Sequence, residues 1–222
     1  MTTTTSSSAR PTPACVEPVV EEPGAHLRLM ADPVLHLLAG PNGAGKSTLY
    51  EMVIGPATHL EFVNADVIAA ERWPEDPAGK SYDAAEVAAS RRSALTESRL
   101  SFVTETVFSH ESKLELVQSA VKAGHLVTLH VVMVPELLAV ARVANRVGVG
   151  GHAVPEDKIR QRYTRLWPLV ASAIGVVDNA NVYDNSRAGR PFRIVATFEH
   201  GSVVGKPDWP RWTPEAIRRA GR

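Results

Sequence analysis

The chain has one cysteine in 222 residues, Cys15, which excludes an intrachain disulfide and any cysteine-based zinc site and suits a reducing cytoplasm. It has no net charge: 24 Lys and Arg balance 24 Asp and Glu, so electrostatics offer no reason to expect a nucleic-acid partner. Nothing approaches the roughly 18 consecutive apolar residues of a membrane span. The opening Met1–Ser8 is polar with no apolar stretch behind it, which argues against a secretory signal. Internal repeats are absent. The eight histidines never fall into the H-E-x-x-H spacing that sets two metal ligands on one helix face. No Asn-Lys-x-Asp base-reading motif of a GTPase occurs.

What is present is Gly40-Pro41-Asn42-Gly43-Ala44-Gly45-Lys46-Ser47, followed by Thr48, which meets G-x-x-x-x-G-K-[ST] at every fixed position. The glycines let the backbone wrap phosphate oxygens with several N–H groups inward. Lys46 reaches the β- and γ-phosphates, and the Ser47 hydroxyl takes one Mg²⁺ position. Such a loop needs a buried strand before it and a helix opening at the lysine. Val34–Ala39 reads as that strand. Ser47–Ile54 reads as the helix, stopped by Gly55 and Pro56. The expected ligands are a nucleoside triphosphate and Mg²⁺.

Residues 1–24, rich in Thr, Ser and Pro with an acidic cluster, read as a disordered tail before a folded domain over 25–222. In that domain strand and helix patterns alternate. Residues 61–67 form a strand running into a loop, and Asp83 caps a helix reaching about Leu100. Ser101–Phe108 is a third strand, after which Ser109 caps a helix ended by Gly124. Leu126–Val134 is the strongest buried strand. A helix carrying Arg142 and Arg146 follows, then a bend with Gly148, Gly150 and Gly151, then a helix from Pro155 that Pro168 kinks or breaks. Asn181–Asp184 is a short strand, and residues 192–204 form a terminal hairpin through Gly201. The fold class is α/β: a phosphate-loop NTPase type of parallel sheet with helices on both faces, a helical lid over about 142–165, and the hairpin.

In an open α/β sheet ligands sit at the carboxyl ends of the strands, and Asp66 and Glu105 fall there. One carboxylate can accept a proton from a substrate hydroxyl, while the other holds the metal's waters or grips the substrate. The competing roles are a helix cap for Asp66 and a solvent-facing carboxylate for Glu105. Arginines on either side of a glycine bend suit a lid closing on a triphosphate, with Arg142, Arg146, Arg160, Arg162 and Arg165 as candidates. His36 and His130 lie in apolar strands as satisfied imidazoles, and His152 sits in the bend. Trp209 and Trp212 anchor the last segment. Tyr183–Ser186 either lines the adenine or phosphate site or is a plain loop.

Gly40–Thr48, Phe62-Val63-Asn64-Ala65-Asp66 and Phe102-Val103-Thr104-Glu105-Thr106 together resemble the zeta-toxin family of phosphate-loop kinases. The run Arg146…Gly150-Gly151-His152-Ala153-Val154-Pro155…Ile159-Arg160-Gln161-Arg162-Tyr163 is similar to a bacterial zeta-toxin-like subgroup. The resemblance spans about residues 34–200. It implies ATP-dependent phosphorylation of a sugar hydroxyl of UDP-N-acetylglucosamine, with a small antitoxin protein as partner. By the same resemblance Asp66 is the base, Glu105 belongs to the substrate pocket, and Lys46 and Ser47 take phosphate and metal. Gly148-Val149-Gly150 stands at the lid entry where related sequences carry a further arginine. The lid role therefore falls to Arg146, with Arg142 and Arg162 next. Two other readings stay open: a nucleotide-switched regulatory ATPase, and a kinase for a different small-molecule hydroxyl.

Overall fold

The structure, a computed structural model, describes Met1 and residues 32–148 and 154–221. The expected tail over 1–24 and His152 in the glycine bend lie outside the described residues. A single compact unit runs from Asp32 to Arg222.

Strand β1 (Val34–Ala39) leads through the phosphate loop to helix α1 (Lys46–Leu49). A wider π-helical stretch, Tyr50–Ile54, carries the helix on into α2 (Gly55–Thr58). Gly55 and Pro56 therefore do not stop this helix. Gly55 adopts ordinary helical angles, and the stop falls at His59, whose left-handed backbone (φ 53°) supplies the C-cap conformation.

Strand β2 (Glu61–Val63) is shorter than expected, because Asn64 opens helix α3 (Ala65–Arg72). Helix α4 (Ser81–Glu97) follows, with Asp83 in its first turn, paired with Lys80, rather than at its cap. Strand β3 (Phe102–Thr106) leads to α5 (Ser112–Lys122). Ser109 does not cap α5: the helix begins three residues later, where the His110 ring accepts from the Ser112 amide at 3.2 Å.

Strand β4 (Leu126–Met133) is followed by α6 (Glu136–Gly148) and α7 (Glu156–Ile174). Pro168 lies inside α7 without breaking it. It removes one amide donor, but Leu166, Trp167, Val170, Ala173 and Ile174 around it are all buried, and that packing outweighs a single lost bond. The chain ends with β5 (Asn179–Asp184), the β6–β7 hairpin (Arg193–Glu199, Ser202–Val204) and α8 (Glu215–Arg219).

The seven strands form one sheet in the order β2-β3-β1-β4-β5-β6-β7. The first five are parallel; β6 and β7 add antiparallel pairs. Alternation along β1 divides two cores. Leu35, Leu37 and Ala39 face a layer that includes α4, α5, α7 and α8, while Leu38 faces a second layer holding Ala44, Leu49 and Ala139. This is the phosphate-loop NTPase kinase fold. Its strand β1 pairs with β3 on one side and β4 on the other, so the chain's direction of winding reverses there and leaves a crevice at the strands' carboxyl ends. Among the described residues no helix is long and apolar enough to cross a membrane.

Candidate active site

The loop leaves β1 at buried Ala39 and is shaped by backbone that only glycine adopts freely. Gly45 has φ 94°, and a Cβ there would stand 2.6 Å from Nδ2 of Asn185. That same Nδ2 donates to the Ala44 carbonyl at 2.8 Å, so the end of β5 clamps the loop. Arg142 on α6 donates to the Asn185 carbonyl at 3.0 Å and to the Gly43 carbonyl at 3.4 Å. With glycine at its N-cap and no acidic side chain in its first turn, the helix starting at Lys46 keeps its first amides free for an anion.

Glu105 is the hub of the site. Its strand lies beside β1 with Glu105 opposite Leu38. One carboxylate oxygen accepts from Ser47 Oγ at 2.8 Å and from Asn64 Nδ2 at 3.1 Å. The other lies 3.6 Å from Lys46 Nζ, which also donates to the Pro41 carbonyl at 3.1 Å. Lys46 is only 6% exposed, so this carboxylate supplies the counter-charge a buried ammonium requires. A serine hydroxyl beside a carboxylate is an all-oxygen donor pair that fits Mg²⁺, which keeps several waters and needs few protein ligands. The contacts of Glu105 are thus to Lys46 and Ser47 of the loop motif and to Asn64.

Asp66 also lines the crevice. Asn64, not Asp66, is the cap of α3: its Oδ1 accepts from the amides of Asp66 at 2.7 Å and Val67 at 3.3 Å. Asp66 therefore rides in the first helical turn with its side chain exposed to the crevice. The helix cap is taken by a neighbour, and the Asp66 carboxylate is left available.

The crevice is a cleft of about 940 Å³. It is lined by the phosphate loop with Arg142, Arg146, Lys158, Arg162, Asn185 and Phe192. The same cleft is lined by Asp66, residues of α4 between Ser81 and Arg92, the chain after Glu105, and Lys113. Of the five arginines expected near the lid, Arg142, Arg146 and Arg162 line the cleft. Arg160 instead bridges Glu136 and Glu156, tying α6 to α7. Arg165 donates to Gln161.

Behind the loop, His36 Nδ1 and His130 Nε2 are 3.1 Å apart, and His130 Nδ1 is 3.1 Å from the Tyr183 hydroxyl. Burial, helped by His36, holds His130 down at about 3, and burial lifts Tyr183 to about 12, so this chain stays neutral. Next to Asn185, Asp184 is pulled below the ordinary carboxylate range. Burial pushes it upward, but bonds from Ser186 and Arg193 outweigh that.

Sequence reasoning left Asn185 undecided and missed Asn64, Phe192, Arg92 and Lys113 as site residues. A signal existed for Asn64, since asparagine before an Asp-containing helical turn is a cap pattern. None existed for Arg92 or Lys113, which read as ordinary helix-surface cations.

The family model described as AAA domain matches residues 35–169. No curated protein matches the sequence. Among solved structures, the fold is similar to the AvrRxo1-ORF1:-ORF2 complex with ATP, at 17% identity and a TM-score of 0.62. That match covers 78% of this chain and 60% of the other, so the protein spans less than two thirds of that neighbour's length. A putative kinase from Chloroflexus aurantiacus J-10-fl matches at 15% identity and TM-score 0.55, over 72% of this chain and 91% of its own. A structure of the PezAT chromosomal toxin–antitoxin system of Streptococcus pneumoniae matches at 13% identity and TM-score 0.55, over 75% and 72% of the respective chains.

Proposed function

The chain belongs to the AAA domain family, and from that membership we propose that it is an ATP-dependent phosphotransferase of zeta-toxin type, acting on a small-molecule hydroxyl. One observation carries this reading. One cleft is lined both by the Lys46–Ser47–Glu105 cluster and by an unengaged carboxylate, Asp66. A nucleotide switch that hydrolyses ATP with water needs no acceptor space beside its phosphate loop; a kinase needs it, and this cleft runs on to Asp66, α4 and Lys113.

The acceptor hydroxyl approaches Asp66, which takes the proton as the acceptor oxygen bonds to the γ-phosphorus. The bond from that phosphorus to the β–γ bridging oxygen breaks, and its electron pair leaves on ADP. Lys46 and the loop amides hold the phosphate oxygens, and Arg146 reaches over them from α6. Glu105 and Ser47 would hold Mg²⁺, which when bound supplies charge neutralisation across the β- and γ-phosphates. Arg142 is already committed to Asn185 and the loop, so it positions the nucleotide, with Arg162 beside it.

UDP-N-acetylglucosamine is the acceptor we favour, with a toxin role and a small antitoxin covering the nucleotide site. The motif resemblance supports all three, and a PezAT toxin–antitoxin structure among the similar folds supports the last two. The test is ATP consumption with Mg²⁺, with and without UDP-N-acetylglucosamine, for wild type and Asp66→Asn. Acceptor-stimulated turnover lost in the variant supports the reading. Slow hydrolysis indifferent to both acceptor and Asp66 overturns it. Stimulation by another hydroxyl compound, and not by this sugar nucleotide, would keep the kinase and change the acceptor.

A further inference from the structure

Asn185 has no step of its own in the proposed mechanism, yet its backbone is fixed from several directions. Its amide donates to the Met133 carbonyl at 3.0 Å, which continues the β4–β5 pairing one residue past the end of β5. Its carbonyl accepts from Arg142 on α6 at 3.0 Å. The carboxylate of the preceding Asp184 is buried and accepts from the Ser186 amide at 2.9 Å and from Arg193 at 3.2 Å. A residue held in this way presents its side chain in one direction.

That direction is toward the Ala44 carbonyl, to which Nδ2 donates at 2.8 Å. A carbonyl only accepts, so the nitrogen is the end of the Asn185 amide that must face it. The peptide joining Ala44 to Gly45 is trans, and in a trans peptide the C=O and N–H point in opposite directions. Drawing the Ala44 oxygen to Asn185 therefore turns the Gly45 N–H the other way. Among the described residues nothing takes up that N–H, whereas the Ala44 N–H is spent on the Pro41 carbonyl at 3.2 Å. Gly45 sits at φ 94°, and glycine offers little resistance to rotation of the peptide before it. Without Asn185 the peptide can flip and present its oxygen where its N–H had been.

We propose that Asn185 is a positioning residue for the phosphate loop: it holds the Ala44–Gly45 peptide with the N–H, and not the oxygen, toward the bound phosphates. Asn185 acts here through the loop and makes no contact of its own with the nucleotide. A backbone amide bonded to a phosphate oxygen is a charge-assisted donor, so a flip costs that bond and sets a carbonyl dipole against an anion. The loop's preference for an anion is thus guarded from the end of β5. This rests on the nucleotide-binding part of the reading above.

The test titrates ADP with Mg²⁺ onto wild type, Asn185→Ala and Asn185→Leu by calorimetry, and follows the Gly45 amide in ¹H–¹⁵N spectra of the same proteins. Both variants remove the donor without adding charge, and Asn185→Leu keeps the bulk, so one remains if the other does not fold. Each should weaken ADP about 10- to 100-fold. The Gly45 amide proton should move downfield when ADP binds wild type, and far less in either variant. A merely structural asparagine would lower Tm on substitution while leaving the ADP affinity of the folded protein and the Gly45 shift as in wild type. Affinities within about twofold of wild type, or a Gly45 shift of the same size in the variants, overturn the positioning role and leave the phosphotransferase reading standing. If wild type itself binds no ADP, the nucleotide reading fails and this inference goes with it.

Discussion

Ser47 Oγ donates to Glu105 Oε2 at 2.8 Å, joining the first turn of the loop helix to the strand next door. The same carboxylate lies 3.6 Å from Lys46 Nζ, so one side chain meets both Lys46 and Ser47 of the loop motif. Replacement of Glu105 by Gln keeps the shape and removes the charge. Mg²⁺ dependence of ATP turnover should shift to about 10- to 100-fold higher metal concentration. A Mg²⁺ titration of initial rates reads this, and an unchanged midpoint would refute the role given to Glu105.

Asn64 caps α3 through two amides and also donates to Glu105. Asn64→Ala should cost about 1 kcal/mol of stability from the cap alone. Urea unfolding measures that. Turnover should fall as well, because Asp66 and Glu105 both lose a positioning contact; a variant that loses stability while keeping full turnover would contradict this.

Asp66 is exposed and takes no part in packing, so Asp66→Asn should change stability by no more than about 1 kcal/mol, the scale of a first-turn charge. Its effect on turnover should be far larger. A melt and a rate assay on the same preparation separate the two, and a large drop in Tm would show that Asp66 is structural.

Arg146 is exposed at the cleft, whereas Arg142 is bonded to the loop and to Asn185. Arg146→Ala should lower kcat by about 10³-fold or more with KM for ATP nearly unchanged, and Arg142→Ala should mainly raise KM. Steady-state kinetics in ATP distinguishes them. The reverse pattern would exchange their roles.

His130 sits at about 3 in the folded protein, below the 6.5 of an unperturbed imidazole, with burial the larger cause and the His36 charge the smaller. Between those values the unfolded chain binds a proton that the folded chain refuses. Its contribution is thus fully present above about pH 6.5 and is lost as pH falls toward 3, at up to about 1.4 kcal/mol per pH unit. His36, also lowered by burial, acts in the same direction. Urea midpoints at pH 7 and pH 5 should differ less in His130→Gln than in wild type; equal differences would show that His130 is not the titrating group.

Short-range patterns already specified much of the molecule. The apolar run Val34–Ala39, the spelled loop and the helix opening at Lys46 are local features, and each stands where the pattern put it. Parallel strands alternating with helices, and the hairpin through Gly201, follow from periodicity and turn chemistry over a few residues. Local rules failed where packing overrode them. Pro168 is carried inside α7 by its buried neighbours, and the helix stop moved from Gly55 to His59.

Contacts between segments far apart in the chain belonged to the tertiary structure alone. Glu105 meets Ser47 across 58 residues, and Asn185 reaches Ala44 across 141. Arg92 on α4 and Lys113 on α5 come to line one cleft only in the folded chain. A side chain's role depends on which charge faces it. That facing is set by sheet order and helix packing, which link residues whose spacing in sequence carries no trace of the meeting.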